Sequence, residues 1–572
     1  MVRIVILDGY VDEPTCLGVP PYISTYPRYI AGAIWTKDPQ AEILYSTIDQ
    51  VRESFDRAID IWSTADLTIL LAGMIVPGKY VGGTPISVRE ARTLFSDPRL
   101  ENVPKILIGP WAQFGYGQEG GKIALSSISL TPPFDFIAPG DPEMVVADIA
   151  DQDWNPEHAN LSACAATPQE FEGFSRKGAK LVAQHPGFQR GYLICEIETY
   201  RGCARYLTGG CSFCVEPLHG EPRQRNPDDV VREIEALYTS GVRAFRIGKQ
   251  ADLFVFGSKE IGIEEFPMPN FEVIESMFSK IREVAPELNV LHIDNVNPGT
   301  ISHHPDESRM VAKTIIKYHT PGDVAAFGIE SVDPEVVRRN NLKVEMEEAI
   351  EAVRILNEVG GERIGLGLPH LLPGINLLYG LPGESKKTVE YNMEFLNILV
   401  NEGLIVRRIN IRQVIGFERT RVLNDDRSRL KRNVFFKHKE QVRETIDLEM
   451  IKRVAPQGTV LSSAFLEGEE GKGYILRPLG TYPLLCRMQA GEQPSETSNL
   501  VVVDHGPRSL IVLPYPIHAN RLSIAQWRSI PGIGNKRAVR IKAAGPFSNL
   551  SQLEERLDSS LPEWLKPAIE YS

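Results

Sequence analysis

The segment ETYRGCARYLTGGCSFC, which runs from Glu198 to Cys214, carries three of the seven cysteines of this chain. Two residues separate Cys211 from Cys214, and Cys203 precedes them on the same glycine-rich loop. Thiolates with this spacing can share one metal centre, and three of them leave one iron of a four-iron cluster without a protein ligand. The spacing therefore predicts a [4Fe–4S] cluster held by Cys203, Cys211 and Cys214. The alternatives are three ordinary core residues, or three zinc ligands with a distant fourth partner.

Two further motifs follow the cysteine loop, each at the end of an apolar, strand-like run. They are Gly-Ile-Glu-Ser at 328–331 and Gly-Leu-Pro-Gly-Glu at 380–384. Together with the cysteines, these motifs resemble the radical S-adenosylmethionine (SAM) superfamily in its cobalamin-binding branch. The resemblance implies that the cluster binds the methionyl amine and carboxylate of SAM and that both motifs line the cofactor site. The cofactor-site residues expected here are Gln250, Glu330, Ser331, Gly380, Pro382 and Gly383.

Residues 191–418 alternate apolar strands with amphipathic helices, such as the helix predicted over Asp228–Tyr238. This alternation predicts a full or partial (β/α) barrel whose chemistry lies at the carboxyl ends of the strands. About half of the polar residues at those ends are expected to line a cavity; they are Gln250, Asp252, Asn295, Asn297 and Glu330. No spacing distinguishes His292, His303 or His304 from ordinary hydrogen-bonding histidines. The chain departs from the superfamily pattern in one respect, because seven residues rather than the usual three separate Cys203 from Cys211.

Residues 1–150 show a similar alternation, which predicts an open, doubly wound (Rossmann-like) parallel sheet. Ligands of such sheets bind beyond the carboxyl ends of the strands. The loops at those ends are rich in Gly, Pro and aromatic residues and resemble the cobalamin-binding domain of the same branch. The cofactor-contacting residues that this implies are Ile23, Ser24, Tyr26, Val76, Pro77, Gly78, Tyr80, Gly109, Pro110, Trp111, Phe114, Gly140, Asp141 and Glu143. No Asp-x-His-x-x-Gly motif offers a histidine to cobalt, and the alternative is a nucleotide-binding or purely structural domain.

The remaining segments predict connections and two small modules. Residues 151–190 are interrupted by Pro and Gly and are interpreted as a linker, and the charged residues 419–453 as a bridging helix. Short β runs in residues 454–516 predict a small β-barrel of the oligonucleotide-binding (OB) or TRAM type, a shape that also serves plain docking. Residues 517–572 resemble a helix-hairpin-helix, with a Gly-rich turn at 530–534. Arg521–Lys542 holds six basic residues and no acidic ones, which favours local contact with a polyanion.

The bulk composition narrows the class of partner and the compartment. A net charge of −12 argues against a surface that coats polyanions generally, although it leaves room for a local basic patch. Clustered cysteines fit a reducing cytoplasm better than a disulfide framework, and no apolar run approaches the length of a membrane span. Cys164 and Cys195 stand apart from the cluster and are expected to be small buried hydrophobes.

The resemblance implies a reaction as well as a cofactor set. Within the branch, the motifs are most similar to archaeal methanogen enzymes that C-methylate a residue of methyl-coenzyme M reductase, a post-translational modification. The alpha carbon of a glutamine is the expected target, and a ferredoxin or flavodoxin the expected electron donor. The rival hypothesis is a tRNA- or RNA-modifying enzyme that binds nucleic acid through the small barrel and the hairpin. A third is a non-enzymatic cobalamin or iron–sulfur scaffold.

Overall fold

The computed structural model describes residues 1–13, 15–73, 83–117, 119–423, 430–557 and 559–571. Its N-terminal unit consists of strands β1 (Arg3–Asp8), β2 (Asp12–Glu13), β3 (Cys16–Leu17), β4 (Tyr22–Ile23), β5 (Glu42–Thr47), β6 (Leu67–Leu71), β7 (Lys105–Ile108) and β8 (Phe136–Ala138) and helices α1 (Thr25–Lys37), α2 (Ile48–Glu53), α3 (Phe55–Trp62), α4 (Val88–Phe95), α5 (Pro110–Phe114) and α6 (Pro142–Asp151).

The predicted parallel sheet of the N-terminal unit is confirmed. Five strands pair in the order β5-β1-β6-β7-β8, and every pair is parallel. Alternate residues of β1 enter different cores, since Ile4 and Ile6 pack into one and Val5 and Leu7 into another. Both faces of the sheet are therefore covered, as burial of an all-parallel sheet requires.

The segment interpreted as a linker contains two helices, α7 (Pro168–Gly178) and α8 (Pro186–Gln189). Pro168 starts α7 instead of breaking it, because Thr167 and Glu170 form a capping box around it. Helix α7 crosses α1 closely: a Cβ on Gly32 would collide with the carbonyl of Phe174, and one on Gly178 with that of Arg28. The linker interpretation missed this packed helix.

The central unit is built from β9 (Ile194–Glu198), β10 (Tyr200–Arg201), β11 (Arg223–Gln224), β12 (Ala244–Lys249), β13 (Val290–Ile293), β14 (Asn295–Val296), β15 (Asp323–Glu330), β16 (Leu371–Tyr379) and β17 (Arg408–Gln413), with α9 (Pro227–Thr239), α10 (Phe271–Val284), α11 (Pro298–His303), α12 (Pro305–Tyr318), α13 (Pro334–Asn340), α14 (Met346–Gly360) and α15 (Lys386–Asn401).

The central strands form an open parallel arc, the partial form of the predicted barrel. One sheet has the order β4-β9-β12-β13 and the next β14-β15-β16-β17. The two are continuous, because β14 follows β13 directly and the Ala326 amide donates to the Asp294 carbonyl at 2.8 Å. The edge strand β4 comes from the N-terminal unit, with Tyr22 opposite Ile194 and Ile23 opposite Cys195. Backbone pairing therefore joins the two units.

The C-terminal part begins with α16 (Arg432–Val442), a π-helical turn (Arg443–Asp447) and α17 (Leu448–Val454), so the bridging helix starts later than its predicted position at 419. Next come β18 (Val460–Glu470), β19 (Gly473–Pro478), β20 (Cys486–Met488), β21 (Thr497–Gly506) and β22 (Ser509–Pro514). They close into a barrel in the order β18-β19-β20-β22-β21, which confirms the predicted small β-barrel.

The loop between β19 and β20 fills the lower end of the arc, where strands begin. The Tyr22 hydroxyl donates to the Gly480 carbonyl at 2.8 Å, and the Thr481 amide donates to His292 Nδ1 at 2.8 Å. The Tyr482 ring lies 3.6 Å from the guanidinium carbon of Arg408. The small barrel is thus docked on the arc by its own buried loop.

The tail comprises β23 (Ile517–His518), α18 (Ile524–Arg528), α19 (Asn535–Ala544), α20 (Leu550–Leu557) and β24 (Ile569–Glu570). Helices α18 and α19 flank the Gly-rich turn, and Trp527 packs in one core with Val501 and Leu513 of the barrel. Cys195 is buried as expected, whereas Cys164 is exposed and that expectation was wrong. Across the described residues, no helix has both the length and the apolarity that crossing a membrane requires.

Candidate active site

One polar pocket lies where the carboxyl ends of the N-terminal strands approach those of β9 and β12. It is lined by Thr15, Tyr26, Gln113, Asp141, Glu198, Tyr200, Arg201, Glu216, His219, Lys249 and Gln250. Tyr26, Asp141 and Gln250 were selected from the sequence on separate grounds, and the fold brings them to the same pocket. The remaining lining residues, among them Glu198, Arg201 and Lys249, were missed.

Arg201 is the centre of a buried ion cluster, which we call the Arg201 cluster: Asp141, Glu143, Glu198, Arg201 and Lys249. Its Nη1 lies 3.0 Å from a carboxylate oxygen of Asp141 and 3.0 Å from one of Glu143. Its Nε donates to Glu198 Oε1 at 2.9 Å, and Lys249 Nζ donates to Glu198 Oε2 at 3.1 Å. A signal was available in the sequence, because Glu198 and Arg201 are spaced to pair at the end of a strand.

The carboxyl groups of the Arg201 cluster differ in their protonation. Burial alone would raise the pKa of Asp141 and Glu198, but Arg201 acts together with Arg223 on Asp141 and with Lys249 on Glu198, and these cations hold both pKa values well below the ordinary range. For Glu143, burial prevails over Arg201 and raises the pKa. Glu143 Oε2 is buried and has no hydrogen-bond partner among the described residues. Glu143 does not itself line the pocket, and it is linked to the pocket through Arg201.

Some of the loops predicted to contact a corrinoid contribute residues to the pocket. Lys249 Nζ lies 4.1 Å from the centre of the Tyr26 ring, and the Phe114 ring stands edge-on to His219 with centres 5.7 Å apart. Gln113 Nε2 donates to the Gly140 carbonyl at 2.8 Å and so ties two of these loops together. Gln113 was not among the selected residues.

Several other predicted residues serve the framework. Ile23 lies in β4 and Ser24 caps α1, while Pro110 and Trp111 are buried in α5 behind Gly109, whose φ of +86° suits only glycine. Val76, Pro77, Gly78 and Tyr80 lie outside the described residues.

The three clustered cysteines occupy one loop, in which Cys211 is buried and Cys203 and Cys214 are half-buried. Residues Ala204–Thr208 form a 3₁₀ turn, Gly209 and Gly210 reverse the chain with positive φ, and the Cys214 amide donates to the Cys211 carbonyl at 3.1 Å. Burial raises the pKa of Cys203 to about 11 and that of Cys214 well above its usual range, with Cys211 adding to both. These thiols therefore need a cationic centre to ionise near neutral pH.

The donor set suits a cluster better than a single ion. In the described part of the chain, no three His, Cys, Asp or Glu side chains are grouped closely enough to hold one metal ion. A four-iron cluster instead takes its thiolates on separate irons, so its ligands stand further apart. Two cations accompany the thiols: Arg205 Nη1 lies 3.2 Å from Cys211 Sγ, and the three cysteines act together to raise the pKa of Lys343 against the effect of burial.

Glu330 and Lys343 bring an acidic and a basic side chain together near the cysteines. Both side chains lie over Gly328, where a Cβ would collide with Lys343 Nζ and with Glu330 Oε1. Glu330 has a φ of +67° at an irregularity in the β15–β16 register. Burial raises the pKa of Glu330 to about 7 against the opposing effect of Lys343. An acidic residue with a strained backbone conformation at the end of a strand is typical of a functional site.

The Gly-Leu-Pro-Gly-Glu motif is fixed to the cysteine loop by Asn340, which sequence reasoning missed. Asn340 Nδ2 donates to the Pro382 carbonyl at 2.8 Å, and its Oδ1 accepts from the Ser212 hydroxyl at 2.7 Å. Gly380 and Gly383 adopt φ values of +96° and +89°, and the Gly380 amide donates to the Glu384 carboxylate at 2.8 Å. The motif is thereby held against the cysteine loop as a rigid turn.

Other polar strand-end residues have structural partners. Ser331 Oγ accepts from the Asp333 amide at 3.2 Å, and Asp252 accepts from the Thr300 hydroxyl at 2.7 Å. Asn297 caps α11, and Asn295 Nδ2 donates to the Gly248 carbonyl at 3.2 Å. The ring nitrogens of His303 and His304 bond to the backbone carbonyls of residues 299 and 266 respectively.

Comparison with known proteins identifies the central unit. The model of the radical SAM superfamily matches residues 197–396. An uncharacterized protein of Methanocaldococcus jannaschii is 44% identical over 515 residues, 89% of this chain and 92% of that protein. An uncharacterized protein of Archaeoglobus fulgidus is 39% identical over 530 residues, 92% of this chain and 93% of that protein.

Among solved structures, the radical SAM methyltransferase TsrM from Kitasatospora setae, with cobalamin and a [4Fe–4S] cluster bound, aligns with a TM-score of 0.45 at 14% identity, over 74% of this chain and 77% of that one. A radical SAM domain works with a [4Fe–4S] cluster, SAM and an electron donor. The chain therefore belongs to the family of these two archaeal proteins and is a radical SAM enzyme.

Proposed function

We propose that this chain is a cobalamin-dependent radical SAM C-methyltransferase. The observation that supports this most is the shared pocket, where Tyr26 and Asp141 of the N-terminal unit meet Glu198 and Gln250 of the radical SAM unit. When bound, the cluster with SAM would supply hydrogen abstraction from an unactivated carbon, and cobalamin would supply the methyl group. Two cofactors that act on one carbon must face each other, and the two sets of strand ends do.

The radical SAM cofactors would be held by the cysteine loop and its neighbours. Cys203, Cys211 and Cys214 would bind the cluster. The methionyl group carries an amine and a carboxylate, and the Glu330–Lys343 pair offers the complementary charges beside the thiols. Gly380 and Gly383 lack side chains on the adjoining turn, so backbone amides there can approach a ligand closely.

Cobalamin would bind beyond the carboxyl ends of the N-terminal strands. In the order β5-β1-β6-β7-β8, the chain passes from β1 to β5 on one side and then returns to β6 on the other side of β1. Ligands of open parallel sheets bind at such a switch in strand order. The loops after β1, β7 and β8 reach the pocket through Thr15, Gln113 and Asp141. The Arg201 cluster would lock these loops to the radical SAM unit and exclude water from the space between the cofactors.

As substrate we propose a glutamine alpha carbon in methyl-coenzyme M reductase, modified in the cytoplasm with a ferredoxin or flavodoxin as electron donor. The charge distribution supports a protein over RNA. The end of β18 carries Glu467, Glu469 and Glu470, beside the loop through which OB barrels contact nucleic acid. The loop between β19 and β20 is packed against the arc of the radical SAM unit and is therefore not free to contact nucleic acid. Against this, the tail offers exposed basic residues, so RNA remains the alternative outcome of the test.

The test uses anaerobically reconstituted full-length protein with a peptide that spans the reductase glutamine, and separately with bulk tRNA. We expect about four irons per chain, as the cluster type requires, a bound corrinoid without histidine ligation, and methyl transfer to the peptide. Cys211→Ala is the control and should lose SAM cleavage. Methylation of tRNA but not of the peptide would make the RNA alternative correct, and failure to bind any corrinoid would overturn the cobalamin assignment.

A further inference from the structure

The lengthened segment between Cys203 and Cys211 contains an internal cation. Arg205 lies in its 3₁₀ turn, and its side chain points inward and is only 3% exposed. Nη1 donates to Cys211 Sγ at 3.2 Å, so the guanidinium bonds directly to one of the proposed cluster ligands. A shorter loop could not make the same turn, because the Gly210 amide closes it by bonding to the Arg205 carbonyl at 2.8 Å.

Three further contacts fix the guanidinium in this position. Nε donates to Glu265 Oε1 at 2.9 Å and Nη2 donates to the Leu342 carbonyl at 3.3 Å. The guanidinium carbon lies 5.6 Å from the centre of the Phe266 ring. The Thr208 hydroxyl also donates to Glu265 at 3.0 Å, which ties the carboxylate back to the same loop. Arg205 is therefore held by partners outside the cysteines and does not depend on Cys211 for its place.

We propose that Arg205 is a positioning residue that raises the reduction potential of the cluster. The inference rests on the proposed binding of the cluster by the three cysteines. Reduction adds one electron, taken from the external donor, to a centre whose sulfur ligands already carry negative charge. A buried N–H···S hydrogen bond and a fixed positive charge stabilise the reduced form more than the oxidised form. Arg205 and Cys211 are both buried, so the interaction is weakly screened.

Glu265 opposes part of this effect, which gives the inference a signed test. Neutralising Arg205 should make the cluster harder to reduce, whereas neutralising Glu265 leaves the guanidinium less compensated and should make it easier. Lys343 also lies near the cysteines and is unchanged in both variants, so it does not affect the comparison. A purely structural role for the Arg205–Glu265 pair would not give shifts of opposite sign.

The experiment is an anaerobic redox titration of reconstituted full-length protein, followed by electron paramagnetic resonance, for the wild type, Arg205→Met, Arg205→Lys and Glu265→Gln. At a fixed potential, Arg205→Met should lower the ratio of reduced to oxidised cluster at least tenfold, which is 59 mV for a one-electron couple. Arg205→Lys should shift it less, and Glu265→Gln should shift it in the opposite direction.

Iron content separates this inference from the function on which it rests. Wild-type protein without about four irons would overturn the cluster itself. A cluster of normal iron content whose potential is unchanged in Arg205→Met would overturn the role of Arg205. If Arg205→Met fails to retain iron, Glu265→Gln decides, because an unchanged or lowered potential in that variant contradicts the proposal.

Discussion

Replacing Arg201 with methionine removes a cation that joins the N-terminal unit to the radical SAM unit. The change keeps much of the side-chain volume but deletes the contacts to Asp141, Glu143 and Glu198, all of which are buried. Asp141 retains Arg223 at 3.0 Å, and Glu198 retains Lys249 at 3.1 Å. Glu143 has no such second ion pair among the described residues, so most of the loss falls on it.

The magnitude follows from the charge that is left behind. Removing one partner of a buried ion pair typically costs 3–5 kcal/mol, and we expect a loss of about 4 kcal/mol in the free energy of unfolding at pH 7.5. The deficit should shrink toward pH 5.5, because the orphaned Glu143 can take up a proton, and burial already raises its pKa. In the wild type, Asp141 and Glu198 have lowered pKa values, so their contribution is present above about pH 4 and is lost only at lower pH.

The assay is urea unfolding at both pH values, followed by fluorescence and circular dichroism. Arg223→Met is the matched control, since that side chain is 35% exposed and pairs with Asp141 alone, so it should lose under about 1 kcal/mol. Equal losses for the two variants would refute the reasoning, and so would a deficit in Arg201→Met that is unchanged at pH 5.5.

Three further changes test other parts of the fold. Asp8 is buried, which raises its pKa to about 6 despite hydrogen bonds from Tyr45 and Tyr10, so its stabilising contribution is lost as pH rises through 6. In urea unfolding at pH 8, Asp8→Asn should therefore have a free energy of unfolding roughly 2–3 kcal/mol above that of the wild type, and at pH 4 the two proteins should unfold at the same urea concentration. Gly32→Ala should cost about 1–3 kcal/mol in thermal unfolding because its Cβ meets the α7 backbone, whereas Gly173→Ala, whose Cβ would come no nearer than 4.0 Å to Thr36 Oγ1, should be neutral or stabilising. Asn340→Ala should weaken SAM binding about tenfold, measured by calorimetry, since each lost hydrogen bond is worth about 1 kcal/mol. The iron content should be unchanged, and a fall in iron would contradict this prediction.

The parts of the fold with a strong local signal were predictable. The strands of the N-terminal sheet are apolar runs bounded by polar or turn residues, as β6 is. The small barrel was recognisable from its short β runs, of which β20 has only three residues. Helix α7 was missed because its proline was interpreted as a breaker when it occupies the first turn of the helix.

The contacts that could not be predicted join residues that are far apart in the sequence. Periodicity gives no sign that β4 leaves its own unit to pair with β9, or that Arg201 meets three carboxylates from two units. Such partners are brought together by the packing of units, which local sequence does not encode. Asp141 lines the shared pocket and Glu143 contacts the pocket-lining Arg201, both through ion pairs that were not foreseen. Whether they also contact cobalamin stays a prediction.

The docking of the small barrel bears on how a substrate can reach the pocket. Gly480–Tyr482 occupies the lower end of the arc, beside a buried cluster in which Arg246 pairs with Glu196 and Asp294. A substrate must therefore approach from the upper end, between the cysteine loop and the N-terminal loops. Because the pocket is a narrow space between two units, a macromolecule can offer only a local segment to it. The pocket combines the carboxylates of Asp141, Glu198 and Glu216 with the cations of Arg201 and Lys249, so it offers a phosphate backbone no net attraction, which agrees better with the proposed peptide substrate than with folded RNA.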